Sequence, residues 1–314
     1  MPPSARNHHV VPQGYLAAFT DTGLRSGRLC VFDIEAGKFF GTTPRNVASR
    51  RDFNRVNVEG QPEDTLEKAF GGLEDRAVSV IRRMREEACI PLDEDFNYVL
   101  NLISLLVIRN PRRRAAMVRA MQHEVRIIGD LLASDEQLYE HHVRKARESG
   151  DLSGPDIPFE RMKRSLDNGN YTVSVPTDLS LQTELAAFKD VLQLMGARCW
   201  SLLTIESAAP DLVTSDLPVT LVHKNPHAGG PIGIATRNTE AVFPLDPRHA
   251  LLGVFDDPLS RNLEIGSDWV GMLNQRTVLY ADRQVFARRP VIHVFREHKM
   301  VELDMRSELD GRWR

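Results

Sequence analysis

The hydrophobic period of the chain changes twice, and that constrains the fold more than any other feature. Leu66, Phe70, Leu73, Ala77, Val80 and Met84 recur at steps of three and four, which lines one face of a helix. Pro62, with Glu63 and Asp64, suits the start of that helix, and Arg82, Arg83 and Arg85 suit its end. Upstream, residues 28–34 mix β-branched and aromatic side chains, Gly37 marks a turn, and residues 38–40 follow, so a β-hairpin is expected. Residues 96–108 are apolar nearly all round, which predicts a helix through the core, broken at Asn110-Pro111. Further helices are expected over 111–132, 135–149 and 181–195, with a surface loop at 150–155.

After Gly196 the pattern returns to short apolar runs separated by turns. Strands are expected at 199–205, 212–214, 219–222, 241–243, 249–255 and 291–295, with one more helix at 268–279. Strands, then helices, then strands predict an α+β fold, with a helical middle segment between N- and C-terminal β-rich segments. The two β-rich ends are free to share one mixed or antiparallel sheet. A single domain over 1–314 is the first expectation. The alternative splits near residue 150, with a hairpin plus helices in 1–150 and mostly β structure in 151–314.

Composition narrows the function classes. Forty basic residues against 43 acidic give a formal charge of −3, so overall charge does not drive the chain onto nucleic acid or membrane. Cys30, Cys89 and Cys199 are odd in number and far apart, which removes zinc-ribbon and thioredoxin-type sites. His8, His9, Pro12 and Gln13 interrupt any secretory apolar run. The longest apolar stretch, 102–108, is far below the ~20 residues that span a bilayer. A cytoplasmic protein without membrane contact is expected. There is no P-loop, HExxH, zinc-deaminase or GxSxG motif, and no nucleotide cofactor motif. Gly229, Gly230 and Gly233 flank a proline and read as a loop, and Pro226 between His223 and His227 argues against a helical metal pair.

Four constellations remain. The opening segment 7–19 sets His9, Gln13 and Tyr15 around Pro12, with Leu16 and Phe19 as anchors. It reads as a docked terminus or as the seat of a titrating imidazole. Glu67 and Glu74, seven apart, share one border of the apolar helical stripe. They read as a solvated edge, or as carboxylates in a cleft that hold a divalent cation or act as base. Arg109 closes the central apolar helix and leads a run with Arg112, Arg113, Arg114, Arg119 and Arg126. A buried Arg109 needs an anionic partner, and Glu67 or Glu74 is the expected one. Thr214-Ser215-Asp216-Leu217-Pro218 ends a strand, where Asp216 serves either a turn or a catalytic or metal role.

In this order the pieces resemble a bacterial family classified only as a domain of unknown function. Asn7, His9, Val11, Pro12, Gln13, Tyr15, Leu16 and Phe19 match its opening block. Asn46-Val47-Ala48 before Asp52-Phe53, the glutamates 67 and 74, and Arg109-x-Pro111-x-Arg113 follow. Thr214-Ser215-Asp216-x-Pro218, Phe243-Pro244-Leu245-x-Pro247 and Asn274 complete the set. Position 54 departs, carrying Asn where tyrosine is usual. The resemblance implies a family and one shared cleft, but no reaction.

The residue types favour a hydrolase, nuclease-like, that uses a metal ion on a phosphodiester or other anionic substrate. Catalytic candidates are His9, Glu67, Glu74 and Asp216. Glu67, Glu74 and Asp216 are the metal candidates, for Mg or Mn rather than Zn. Substrate-binding candidates are Gln13, Tyr15, Arg109, Arg113, Ser215 and Asn274. The expected partner is an anionic small molecule or nucleic acid. The alternatives are a non-catalytic module that senses a nucleotide or an anionic peptide end, and a biosynthetic transferase.

Overall fold

The computed structural model describes residues 7–55, 62, 64–225, 232–255 and 260–306. Glu63, His227, Gly229 and Gly230 lie outside the described residues. The chain is α+β, with a helical middle and strands at both ends. It begins with β1 (Asn7–His9), α1 (Gln13–Ala17), β2 (Leu29–Asp33), β3 (Lys38–Thr42) and β4 (Ser49–Arg51). The helical middle comprises α2 (Thr65–Glu87), α3 (Phe96–Ile108), α4 (Pro111–Ser134), α5 (Glu136–Glu148), α6 (Phe159–Asp167) and α7 (Thr177–Gly196). Then come β5 (Cys199–Ile205), β6 (Thr214–Ser215), β7 (Thr220–His223), β8 (Thr239–Asp246), β9 (His249–Val254) and β10 (Asn262–Ile265). Last are α8 (Ser267–Tyr280), β11 (Gln284–Ala287), β12 (Val291–Arg296) and β13 (Lys299–Asp304).

The chain divides into two compact units, residues 1–111 with 181–314, and residues 112–180. The dividing points differ from the expected residue 150. The first falls at the start of α4, directly after the Asn110-Pro111 break, and the second inside α7.

In the larger unit, β10-β5-β9-β8-β7 form one sheet and β3-β2-β11-β6 another. The second sheet joins the N-terminal hairpin antiparallel to β11, so the two β-rich ends do share a sheet. Strand alternation explains how one chain fills three apolar layers. Leu202, Leu251, Phe243, Val31 and Phe286 face the main core with Ala77, Ile81, Met84, Val99, Leu102 and Ile103 of α2 and α3. Their neighbours Leu203, Leu252 and Val242 face α8 through Val270 and Leu273. Phe32 and Val285 face the β12–β13 hairpin through Ile292 and Leu303. Trp200 lies opposite Gly253, where an added Cβ would meet its ring at 2.9 Å, so only glycine admits the indole there.

Arg109 caps the C-terminus of α3, its amide bonding Leu105 O at 2.9 Å, and Pro111 starts α4 after the break. In the smaller unit, Asp135 caps α5 by accepting from the Gln137 and Leu138 amides. Tyr139 packs on Phe159 of α6 and donates to Ile157 O at 2.7 Å. No helix among the described residues is long and apolar enough to cross a membrane.

Candidate functional site

Glutamates seven apart return to nearly the same helical face. On α2 that face meets the end of α3, where Arg109 sits. The Arg109 side chain is only 2 % exposed and its Nη1 donates to Glu74 Oε1 at 3.0 Å. Its guanidinium lies over the Phe70 ring, 4.7 Å from the centroid, and Nη2 donates to the His9 carbonyl. The expectation of a buried Arg109 paired with a glutamate is met by Glu74. Removing one member of such a pair leaves an uncompensated buried charge.

His9 comes from a three-residue strand paired with β4, and the next residue, Val10, donates to Ala48 O at 2.8 Å. The His9 ring is held at both nitrogens. Nε2 lies 3.1 Å from the Arg45 carbonyl, and Nδ1 faces the Gln13 amide nitrogen at 3.5 Å. A carbonyl only accepts, so Nε2 carries the hydrogen in the neutral ring and Nδ1 keeps its lone pair. Burial pushes the His9 pKa below the usual range, although the Arg45 carbonyl and Glu67 work against it. Burial pushes Glu74 upward, and Arg109 only partly offsets that. A neutral imidazole, its Nδ1 lone pair facing only the Gln13 amide at 3.5 Å, therefore stands near a carboxyl that keeps its proton to higher pH.

Asn54 completes the cluster, and sequence reasoning did not name it as a site residue. It is fully buried; its side-chain nitrogen donates to Glu67 Oε2 at 2.8 Å and its backbone amide to His8 Nδ1 at 2.7 Å. The signal was the departure from tyrosine at position 54. Asn54 Oδ1 and Arg109 Nε are both buried without a hydrogen-bond partner among the described residues.

The other candidates sit in a different setting. Asp216 is 7 % exposed; its Oδ1 accepts from the Asp282 amide at 2.9 Å, and its Oδ2 from the amides of Arg283 and Gln284 at 2.8 and 3.1 Å. Burial pushes its pKa up to about 6, with those amides opposing. Ser215 Oγ accepts from the Leu217 amide. Asn274 accepts from the Val213 amide and donates to the carbonyls of Asp211 and His293, each at 2.9 Å. Tyr15 donates to the Pro244 carbonyl, hydrogen-bonds Thr214 Oγ1 (both 2.7 Å), and stacks on Phe243. These four fasten β6, β8, α8 and β11 to one another and to α1. Arg113 is exposed on α4, in the smaller unit.

Among the described residues, no three His, Cys, Asp or Glu side chains form a group that could hold a metal ion. Glu67, Glu74 and Asp216 are therefore not brought together as the expected ligand set. Asp216 accepts from three amides, Glu74 from Arg109 and Glu67 from Asn54. Among the described residues, these carboxylates do not fit a carboxylate-caged ion.

No curated protein and no solved structure matches the chain. A family model described as protein of unknown function (DUF4238) matches residues 7–290, nearly the whole chain. The opening block, the paired glutamates and the Thr-Ser-Asp-x-Pro segment lie within that span, and the chain belongs to the DUF4238 family.

Proposed function

We propose that this chain is a hydrolase acting on an anionic substrate, a phosphodiester in the first instance, with His9 as general base. The observation that carries the reading is the state of the His9 ring. The Arg45 carbonyl claims Nε2–H, burial disfavours the charged form, and Nδ1 is left unprotonated, with only the 3.5 Å contact from the Gln13 amide for a water to displace. Water deprotonated by Nδ1 attacks the ester, and Glu67 favours the imidazolium that results. Arg109 is a positioning residue: it holds Glu74 and the His9 backbone and is too buried to meet a substrate itself. Arg45, Arg50 and Arg51 are exposed around the strand pair that carries His9, which suits an anionic substrate. Asp216, Ser215, Asn274 and Tyr15 serve the scaffold in this reading. No step is routed through a metal ion.

The test is hydrolysis of bis(4-nitrophenyl) phosphate by the purified chain. His9→Asn is expected to lower the rate by roughly 10²–10⁴, the range of a lost acid–base group, with an unchanged melting temperature. Equal rates in both proteins would remove His9 from the chemistry. The exposed Arg45, Arg50 and Arg51 suit a second reading as well, a module that binds an anionic ligand without reaction. No turnover, together with nucleotide binding that His9→Asn abolishes, would put that reading first.

A further inference from the structure

A concave site lies beside α1. It is a cavity of about 290 Å³ between α1, the turn at residues 23–25 and the second half of α2. Arg25, Arg82 and Arg85 line it against a single acid, Asp75, and Leu24, Val78, Ile81 and Leu245 supply apolar wall. The residue types follow from the elements. Arg82 and Arg85 are three apart on α2 and so neighbours on one face, while Val78 and Ile81 sit a turn before them. Gly14 keeps the mouth open, since an added Cβ would come within 3.0 Å of Arg25 Nη2 and 3.3 Å of Val78.

The three guanidiniums are unequally committed. Arg85 bonds Asp246 through Nε alone, and its two terminal nitrogens have no hydrogen-bond partner among the described residues. Asp246 is buried and held by His249 Nδ1 and the Arg248 amide, so Arg85 is anchored from behind. Arg82 is exposed and makes no ion pair among the described residues. Arg25 bonds Asp75 at 2.8 Å, but both side chains are more than half exposed, and such a pair is cheaply exchanged for a stronger anion. An excess of guanidinium over carboxylate in a concave wall concentrates positive potential, and planar guanidinium matches phosphate geometry.

We propose that this cavity binds a phosphate monoester with a small apolar body. Arg82, Arg85 and Arg25 take the phosphate, and the Leu24–Val78–Ile81 wall takes the organic group. The proposal does not rest on the reaction assigned to His9. The site is separate from the His9 cluster but shares α1 and α2 with it.

Calorimetric titration of the full chain with phenyl phosphate tests it. The expected result is saturable binding that Arg82→Gln weakens by about tenfold or more, as for the loss of a hydrogen bond between charged groups. The melting temperature of unliganded Arg82→Gln should match the parent, because the side chain is exposed. His9→Asn should bind as the parent does. Absence of saturation at millimolar ligand would overturn the proposal, as would equal affinity in the parent and Arg82→Gln. Loss of binding in His9→Asn would instead assign the ligand to the other site and also overturn it.

Discussion

The cluster around His9 and the bracket around Asp216 draw on the same kinds of polar residue, yet they are built to opposite rules. Around Asp216, both oxygens meet backbone amides, and nearby Asn274 spends its oxygen and its amino group on three backbone partners. Around His9, valence is left over: an Nδ1 lone pair met only by the Gln13 amide at 3.5 Å, and, among the described residues, unpartnered atoms on Asn54 and Arg109. A satisfied polar network rigidifies a core, whereas a partly satisfied one is held less firmly, and the half-buried His9 ring is the group there that solvent can reach. Residue type in a family motif therefore does not separate a satisfied bracket from an unsatisfied cluster. The partners do.

The comparison can be broken by mutation. The largest effect is expected for Arg109→Ala, which strands Glu74 and frees the His9 backbone. A loss of about 3–5 kcal/mol in urea unfolding is the range for a buried pair that loses one member. A stability change near zero would mean that the cluster is not buried as described.

Asp216→Asn is expected to cost about 1–3 kcal/mol, because an amide offers one acceptor oxygen and turns N–H groups toward backbone donors. It should leave the His9 titration unchanged. The pH dependence sharpens this. The folded Asp216 carboxyl is raised to about 6 from 3.8, so between those values the folded chain holds a proton that the unfolded chain has released. Stability from this group is present below about pH 4 and lost as pH rises through 6. The parent should therefore lose melting temperature over that window relative to Asp216→Asn. Parallel profiles would place the Asp216 carboxyl in ordinary solvent.

The smallest effect is expected for Glu67→Gln. Glu67 raises the His9 pKa, so its removal should move the ring titration further down, as read by NMR of the imidazole nitrogens. An upward or absent shift would disconnect Glu67 from His9.

Much of the fold was legible because period is a local property. The stripe from Leu66 to Met84 became α2, the 96–108 run became α3, and Gly37 sat in the turn of the β2–β3 hairpin. The helix at Phe159–Asp167 was missed because its residues are mostly charged or polar and none of them is buried. Strand order was not legible, since pairings such as β2 with β11 depend on partners remote in sequence. In the candidate site, the Arg109–Glu74 pair followed from a charge at the end of an apolar helix. The role of Asp216 did not, because its partners are backbone amides, which no side-chain pattern announces.

The β2–β11 pairing has a consequence for how the protein is made. Gln284 hydrogen-bonds Asp33 across 251 positions of chain, and it also receives the Ala48 amide, which fastens the β1–β4 strands that carry His9. At about 5–20 residues per second, synthesis separates these partners by roughly 10–50 s. Throughout that interval β2, whose five residues are all buried in the finished protein, presents an open strand edge with apolar side chains on both faces. That interval leaves β2 open to self-association. The strand pair that carries His9 gains this fastening only once Gln284 has been made.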